Sequence, residues 1–95
     1  MTPVGSFTVE MEHPSLPGHF PGRPIVPGVV LLDHAIRLIL GEARHPAGLP
    51  AVKFTRPVLP GQAVAVACTV PQDGRVTFEC TVAGTVVARG SVSLG

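Results

Sequence analysis

Apolar and polar positions along the chain follow two periods, which separate one helix from several strands. Residues 6–12 alternate between apolar and polar side chains, which predicts a half-buried strand. In residues 28–44 the apolar positions nearly surround a helical axis, which predicts a helix buried on most of its sides. Further strands are predicted over residues 51–56, 64–70, 76–82 and 85–94, with turns at 59–62, 73–74 and 83–84.

One apolar helix and about five antiparallel strands place the chain in the α+β class, with the helix facing the sheet. We interpret residues 1–95 as a single domain. One twisted sheet cannot cover an apolar helix on all sides. We therefore expect a dimer that extends the sheet or covers the helix.

Composition supports a hidden apolar surface and argues against nucleic-acid binding. Only 14% of the residues are charged, against about 25% in an average soluble domain, which favours a subunit interface. The seven basic residues are scattered, the net charge is +1, and all four aromatic residues are phenylalanine. Neither a basic stripe nor a set of stacking platforms is therefore available for nucleic acid.

Cysteine content and apolar run lengths favour a cytoplasmic protein. Cys68 and Cys80 lie in separate predicted strands without C-x-x-C spacing, so we interpret both as reduced packing residues. The first residues lack the basic start and apolar stretch of a signal peptide. The longest apolar runs fall far short of the ~18 residues that a membrane span needs.

The segment before the helix is the most informative part of the sequence. Residues 13–27 contain five of the eleven prolines, which exclude a helix and predict an ordered, irregular loop. This loop holds His19. Asp33 follows fourteen positions later, one turn into the predicted helix. A titratable pair on a stiff backbone is typical of proton transfer.

These residues suit the elimination of water from a 3-hydroxyacyl thioester. His19 is a candidate base for the α-proton, and Asp33, between apolar neighbours, a candidate acid for the leaving hydroxyl. The free N–H groups of Gly28 and Val29 at the helix start are candidate donors to the thioester carbonyl. Taken singly, a loop histidine is more often structural. Their conjunction favours function, and the spacing does not decide whether His19 and Asp33 meet within one chain.

Two segments resemble a known family. Residues 19–33 read HFPGRPIVPGVVLLD and residues 53–61 read KFTRPVLPG. Their order and spacing are similar to those of the bacterial 3-hydroxyacyl-ACP dehydratases of the FabZ/FabA type. The likeness is closest to the short ApeI-type dehydratase-like proteins, which occur in aryl-polyene or related acyl-chain biosynthesis.

The resemblance implies a hotdog fold, in which an antiparallel sheet wraps around one long helix. It implies a homodimer, a larger assembly of dimers or a heterodimer with a related subunit, with His19 from one chain and Asp33 from the other. The Gly28 N–H would bind the thioester carbonyl, with Phe20, Pro27 and Val29 completing the substrate site. Acyl carrier protein would deliver the substrate on phosphopantetheine, without a metal or organic cofactor.

One departure from the family pattern leaves other functions open. Where the family has a glutamine, this chain has Arg37, which can pair with Asp33 at i,i+4 and weaken it as an acid. A hotdog thioesterase would use Asp33 to activate water, and a non-catalytic carrier-binding subunit would use neither residue. Candidates for docking the carrier protein are the basic residues Arg23, Lys53 and Arg56.

Overall fold

A computed structural model describes residues 1–10, 25–41, 46–47 and 50–94. One helix and five strands follow in chain order: β1 (Thr2–Thr8), α1 (Gly28–Leu40), β2 (Ala51–Phe54), β3 (Ala63–Cys68), β4 (Arg75–Val82) and β5 (Thr85–Ser93). The strands form one antiparallel sheet in the order β1-β3-β4-β5-β2. The α+β architecture is thus the one that the sequence predicts, and β2 forms one edge of the sheet.

Helix α1 begins directly after Pro27 and ends directly before Gly41. Pro27 precedes its first residue with φ −58°, and its carbonyl accepts hydrogen bonds from the N–H groups of Val30 and Leu31. Gly41 has φ 81° and donates to the carbonyl of Arg37 at 2.9 Å. The helix therefore ends at Leu40, before its predicted end at residue 44, because Gly41 leaves the helical conformation; residues 42–44 lie outside the described residues.

Strand β1 begins four residues earlier than predicted. It includes Pro3 and Gly5, two residue types that are rare in strands, and its pairing with β3 is irregular between them. The other predicted strands are found within about two residues of their expected ends. The local sequence pattern therefore predicts most of the strands of the sheet.

The hairpin turns have the chemistry that the sequence predicts. Asp73 and Gly74 have φ of 53° and 72°, and Ala83 and Gly84 have φ of 49° and 82°. Two successive positive φ angles are typical of the two-residue turns whose twist matches antiparallel strands. The β4–β5 hairpin thus forms the centre of the sheet without a long connection.

The core lies between α1 and one face of the sheet. The helix contributes Leu31 and Ala35, both buried, and the central strand contributes Phe78, which is fully buried. Other buried residues of this cluster are Val9, Val26, Val58, Val64, Val66, Cys80, Val87 and Ala88. The rest of α1 is less enclosed: Val29 is 74% exposed. The sequence predicts a helix that is buried on most of its sides. The single chain does not provide this burial.

Both cysteines are free, as expected. Cys80 is buried in the core, and this burial raises the pKa of its thiol to about 11. In the part of the chain that the structure describes, no helix is long and apolar enough to cross a membrane.

Candidate functional site

A groove of about 350 Å³ opens beside the N-terminus of α1. Its lining residues come from the segment before the helix, the first helical turn and the end of β2: Ile25, Val26, Gly28, Leu31, Phe54, Thr55, Arg56, Pro57 and Val58. The N–H of Val26 donates to the carbonyl of Val58 at 2.8 Å, which ties the two walls together. Most of the lining is apolar, as a site for an acyl chain requires.

The backbone at the helix start supplies hydrogen-bond donors beside the groove. Among the described residues, no acceptor receives a hydrogen bond from the N–H of Gly28 or Val29. The first N–H groups of a helix lack partners within it, and they favour a negatively charged oxygen. Gly28 itself lines the groove. The predicted carbonyl-binding position therefore lies at an apolar groove.

Asp33 is paired with Arg37 as its spacing predicts. Nε of Arg37 lies 3.2 Å from Oδ2 of Asp33, and their side chains are 58% and 57% exposed. The apolar enclosure expected for Asp33 is therefore not formed by its own chain. Its sequence neighbours are apolar, but adjacent helical residues are turned by about 100° and point to other faces.

The groove and Asp33 lie on different sides of α1. Leu31 is buried and lines the groove. Asp33, two residues further along the helix, is turned from it by about 200°. The carboxyl group of Asp33 therefore points away from the groove of its own chain.

The other predicted site residues fall in three groups. His19, Phe20 and Arg23 lie outside the described residues. Pro27 directly precedes α1, and Arg56 lines the groove. Lys53 lies on the opposite face of β2 from Phe54, because side chains alternate along a strand.

Lys53 belongs to a second, open depression of about 550 Å³ that contains no residue of α1. There it is directly opposite Arg89, which is opposite Glu79 on the next strand. This depression lacks the helix start and its N–H groups, so it does not offer the donors that the thioester carbonyl needs.

Phe54 is a groove residue that the sequence did not single out. Its ring lies against Gly28: a Cβ placed on that glycine would be 2.9 Å from two ring carbons. Two features of the sequence bear on this contact: the alternation that turns Phe54 to the opposite side of the strand from Lys53, and the glycine at the helix start. Neither feature indicates that the two residues meet.

Sequence comparison assigns the chain to a dehydratase family. Residues 2–91 match the ApeI-like family, described as ApeI dehydratase. A 3-hydroxyacyl-[acyl-carrier-protein] dehydratase FabZ from Herpetosiphon aurantiacus is 33% identical over 94% of this chain and 73% of its own length. The FabZ protein of Haemophilus influenzae is also 33% identical, over 82% of this chain and 60% of its own length.

Solved structures confirm the hotdog fold. The dehydratase heterocomplex ApeI:P from Xenorhabdus doucetiae contains a chain that superposes with a TM-score of 0.73 at 22% identity, covering 93% of this chain and 81% of that one. An uncharacterized protein from Erwinia carotovora subsp. atroseptica gives the same TM-score and identity over 100% and 97% of the two chains. By its sequence over nearly its whole length, the chain belongs to the ApeI-like dehydratase family.

Proposed function

We propose that the protein dehydrates 3-hydroxyacyl groups, held as thioesters on acyl carrier protein, to trans-2-enoyl groups in acyl-chain biosynthesis. The observation that carries this proposal is the apolar groove that meets N–H groups at the start of α1 for which the described residues provide no acceptor. In a chain of a dehydratase family, this arrangement suits a thioester whose carbonyl must accept negative charge.

The proposed reaction needs one base and one acid. His19 removes the proton from the α-carbon, and the electron pair of that bond forms the double bond between the α- and β-carbons. The β-hydroxyl leaves as water with a proton from Asp33. The N–H of Gly28 donates to the thioester oxygen while it carries negative charge. Solvent then carries the proton from His19 back to Asp33, so no cofactor is consumed or required.

The site is proposed to form between two chains. Asp33 points away from the groove of its own chain, and the exposed Val29 lies on a part of α1 that the sheet leaves open. A second hotdog subunit against this face would bring the partner's acid to each groove and exclude water. The proposed partner is a second copy or a related subunit, and the similar chain from Xenorhabdus doucetiae belongs to a dehydratase heterocomplex.

Carrier docking is assigned to the basic residues that the sequence offers as candidates. Arg56 lines the groove, and Arg23 and Lys53 are the further candidates. Their charge would attract an acidic carrier surface and the phosphate of its arm. A cytoplasmic location stays a prediction.

A two-signal assay tests the proposed reaction. The purified protein is given a 3-hydroxyacyl thioester, and enoyl absorbance and free thiol are followed together. Enoyl formation without thiol release is expected. Thiol release without enoyl product would instead indicate a thioesterase. Binding of the substrate with neither signal would indicate a non-catalytic subunit, the alternative that the Asp33–Arg37 pair favours.

A further inference from the structure

Phe54 is exposed at a place where core packing does not explain it. It ends the edge strand β2 and is 44% exposed. Val52, two residues earlier on the same side of the strand, packs against the buried core, but Phe54 is not part of that packing. A large aromatic side chain at the end of an edge strand therefore has a surface left for another contact.

The ring of Phe54 lies directly on the first turn of α1. A Cβ on Gly28 would be 2.9 Å from two of its ring carbons and 3.3 Å from a third. Real Cβ atoms essentially never approach other atoms so closely, so any side chain at position 28 would displace the ring. The absence of a side chain at Gly28 thus lets an aromatic ring lie beside the N–H that we assign to the thioester carbonyl.

The ring also forms part of the apolar wall of the groove. Ile25, Val26, Leu31 and Val58 line the same space, and the polar Thr55 and Arg56 follow Phe54 along the chain. A carbonyl that accepts a hydrogen bond from Gly28 would have its carbon chain in contact with the ring within a few carbons. The ring then occupies space that a longer chain would need.

We propose that Phe54 is a specificity-determining residue, whose ring limits the length of the acyl chain that the groove accepts. This inference rests on the proposed dehydration and names the residue that selects its substrates. In this inference the ring of Phe54 contacts the acyl group of the substrate and not its pantetheine arm.

The test compares three substrates on the same thiol: 3-hydroxybutyryl, 3-hydroxyoctanoyl and 3-hydroxydodecanoyl thioesters. In Phe54→Ala, kcat/KM for the octanoyl substrate relative to the butyryl substrate should rise about tenfold, the effect of making room for one or two methylene groups. Phe54→Leu should give a smaller rise. The ratio of kcat/KM values for two substrates is the readout, because a loss of activity that affects all substrates equally leaves this ratio unchanged.

Leu59→Ala is the matched control, because Leu59 is similarly exposed at 49% but does not line the groove. Its length profile should equal that of the wild type. An equal loss with all three substrates in the Phe54 variants, or an unchanged profile, would overturn the inference. If the alanine variant does not fold, the leucine variant decides the question.

Failure of the proposed function gives a different result. A wild-type protein that forms no enoyl product from any substrate contradicts dehydration. The length dependence is then measured as binding of the saturated acyl thioesters by calorimetry. If Phe54→Ala leaves the ratio of octanoyl to butyryl affinity unchanged, the specificity inference fails as well.

Discussion

At the scale of single residues, the Asp33–Arg37 ion pair separates this site from the pattern that its motifs resemble. Both side chains are more than half exposed, so the pair contributes little to stability. Its consequence is chemical, because Nε of Arg37 occupies Oδ2 of Asp33, an oxygen that would otherwise be available to face the substrate hydroxyl. In the proposed reaction Asp33 has to donate a proton. Arg37 therefore restrains the step in which the hydroxyl leaves.

Replacing Arg37 by glutamine should raise the rate of dehydration severalfold. The free energy of unfolding should change by no more than about 0.5 kcal/mol, the size of an exposed i,i+4 pair. Initial rates of enoyl formation and urea denaturation measure the two effects. Arg37→Lys keeps the charge and should change the rate less. A loss of activity in Arg37→Gln as large as that in Asp33→Asn would instead make Arg37 a required residue.

Because of Cys80, the free energy of unfolding should fall as the pH rises into the alkaline range. Its pKa is raised to about 11 in the folded chain by burial, against 9.0 for an unperturbed thiol. Below pH 9 both states hold the proton and this group adds no pH dependence. Between pH 9 and 11 the unfolded state loses the proton first, so the free energy of unfolding should fall by roughly 1.4 kcal/mol per pH unit.

Urea denaturation of the wild type and Cys80→Val from pH 8 to 11 measures this effect. The valine variant has similar volume and no titrating thiol, so its stability should fall less. The chain has no tyrosine and Lys53 is its single lysine, so few other groups titrate in this range. Parallel pH dependences of the two proteins would show that the Cys80 thiol is not protected by burial.

At the scale of elements, local chemistry predicted more of the fold than of the site. The turns at Asp73–Gly74 and Ala83–Gly84 were predicted from their glycines, which adopt the positive φ angles of such turns at little cost. The start of β1 was missed because Pro3 and Gly5 are untypical of strands, and their place is set by pairing with β3.

For the candidate site, sequence predicted the donors at Gly28 and the pairing of Asp33 with Arg37, since both depend on helix geometry alone. The contact of Phe54 with Gly28 could not be predicted. It joins an edge strand to a helix start that is distant in sequence, and it depends on how the sheet twists. The exposure of Asp33 was missed because apolar neighbours in sequence lie on other helix faces.

Strand β2 is held at the sheet edge by close backbone contact with Gly90. A Cβ at Gly90 would clash with the carbonyl oxygen of Ala51 and lie 2.9 Å from Cα of Val52. Gly90→Ala should therefore displace β2 and lower the free energy of unfolding by about 2 kcal/mol. Faster hydrogen exchange in β2 than in β1 should accompany the loss.

Gly84→Ala provides the comparison for this variant. Gly84 has φ 82°, and a Cβ there meets nothing within 4 Å, so alanine should cost about 1 kcal/mol through backbone strain alone. It should leave hydrogen exchange in β2 unchanged. Equal exchange in β2 for both variants would show that contact at Gly90 does not hold the edge strand.

At the scale of the whole molecule, the direction of Asp33 predicts a site shared by two chains. If the protein is a homodimer, His19→Ala and Asp33→Asn should each be inactive alone. After unfolding and refolding together in equal amounts, mixed dimers regain one intact site, and about a quarter of the wild-type activity should return. Size-exclusion chromatography checks that the mixture is dimeric. A dimeric mixture that stays inactive would place both residues in one chain.

The most direct test of the central claim is the rate of enoyl formation from a 3-hydroxyacyl thioester by wild-type protein and by His19→Ala and Asp33→Asn. We predict that the wild type forms the trans-2-enoyl product without releasing thiol. Each variant should lower kcat by about 10²- to 10⁴-fold, the effect of losing a general base or acid. Circular dichroism should show both variants folded. Wild-type enoyl formation that persists at full rate in either folded variant would contradict the account.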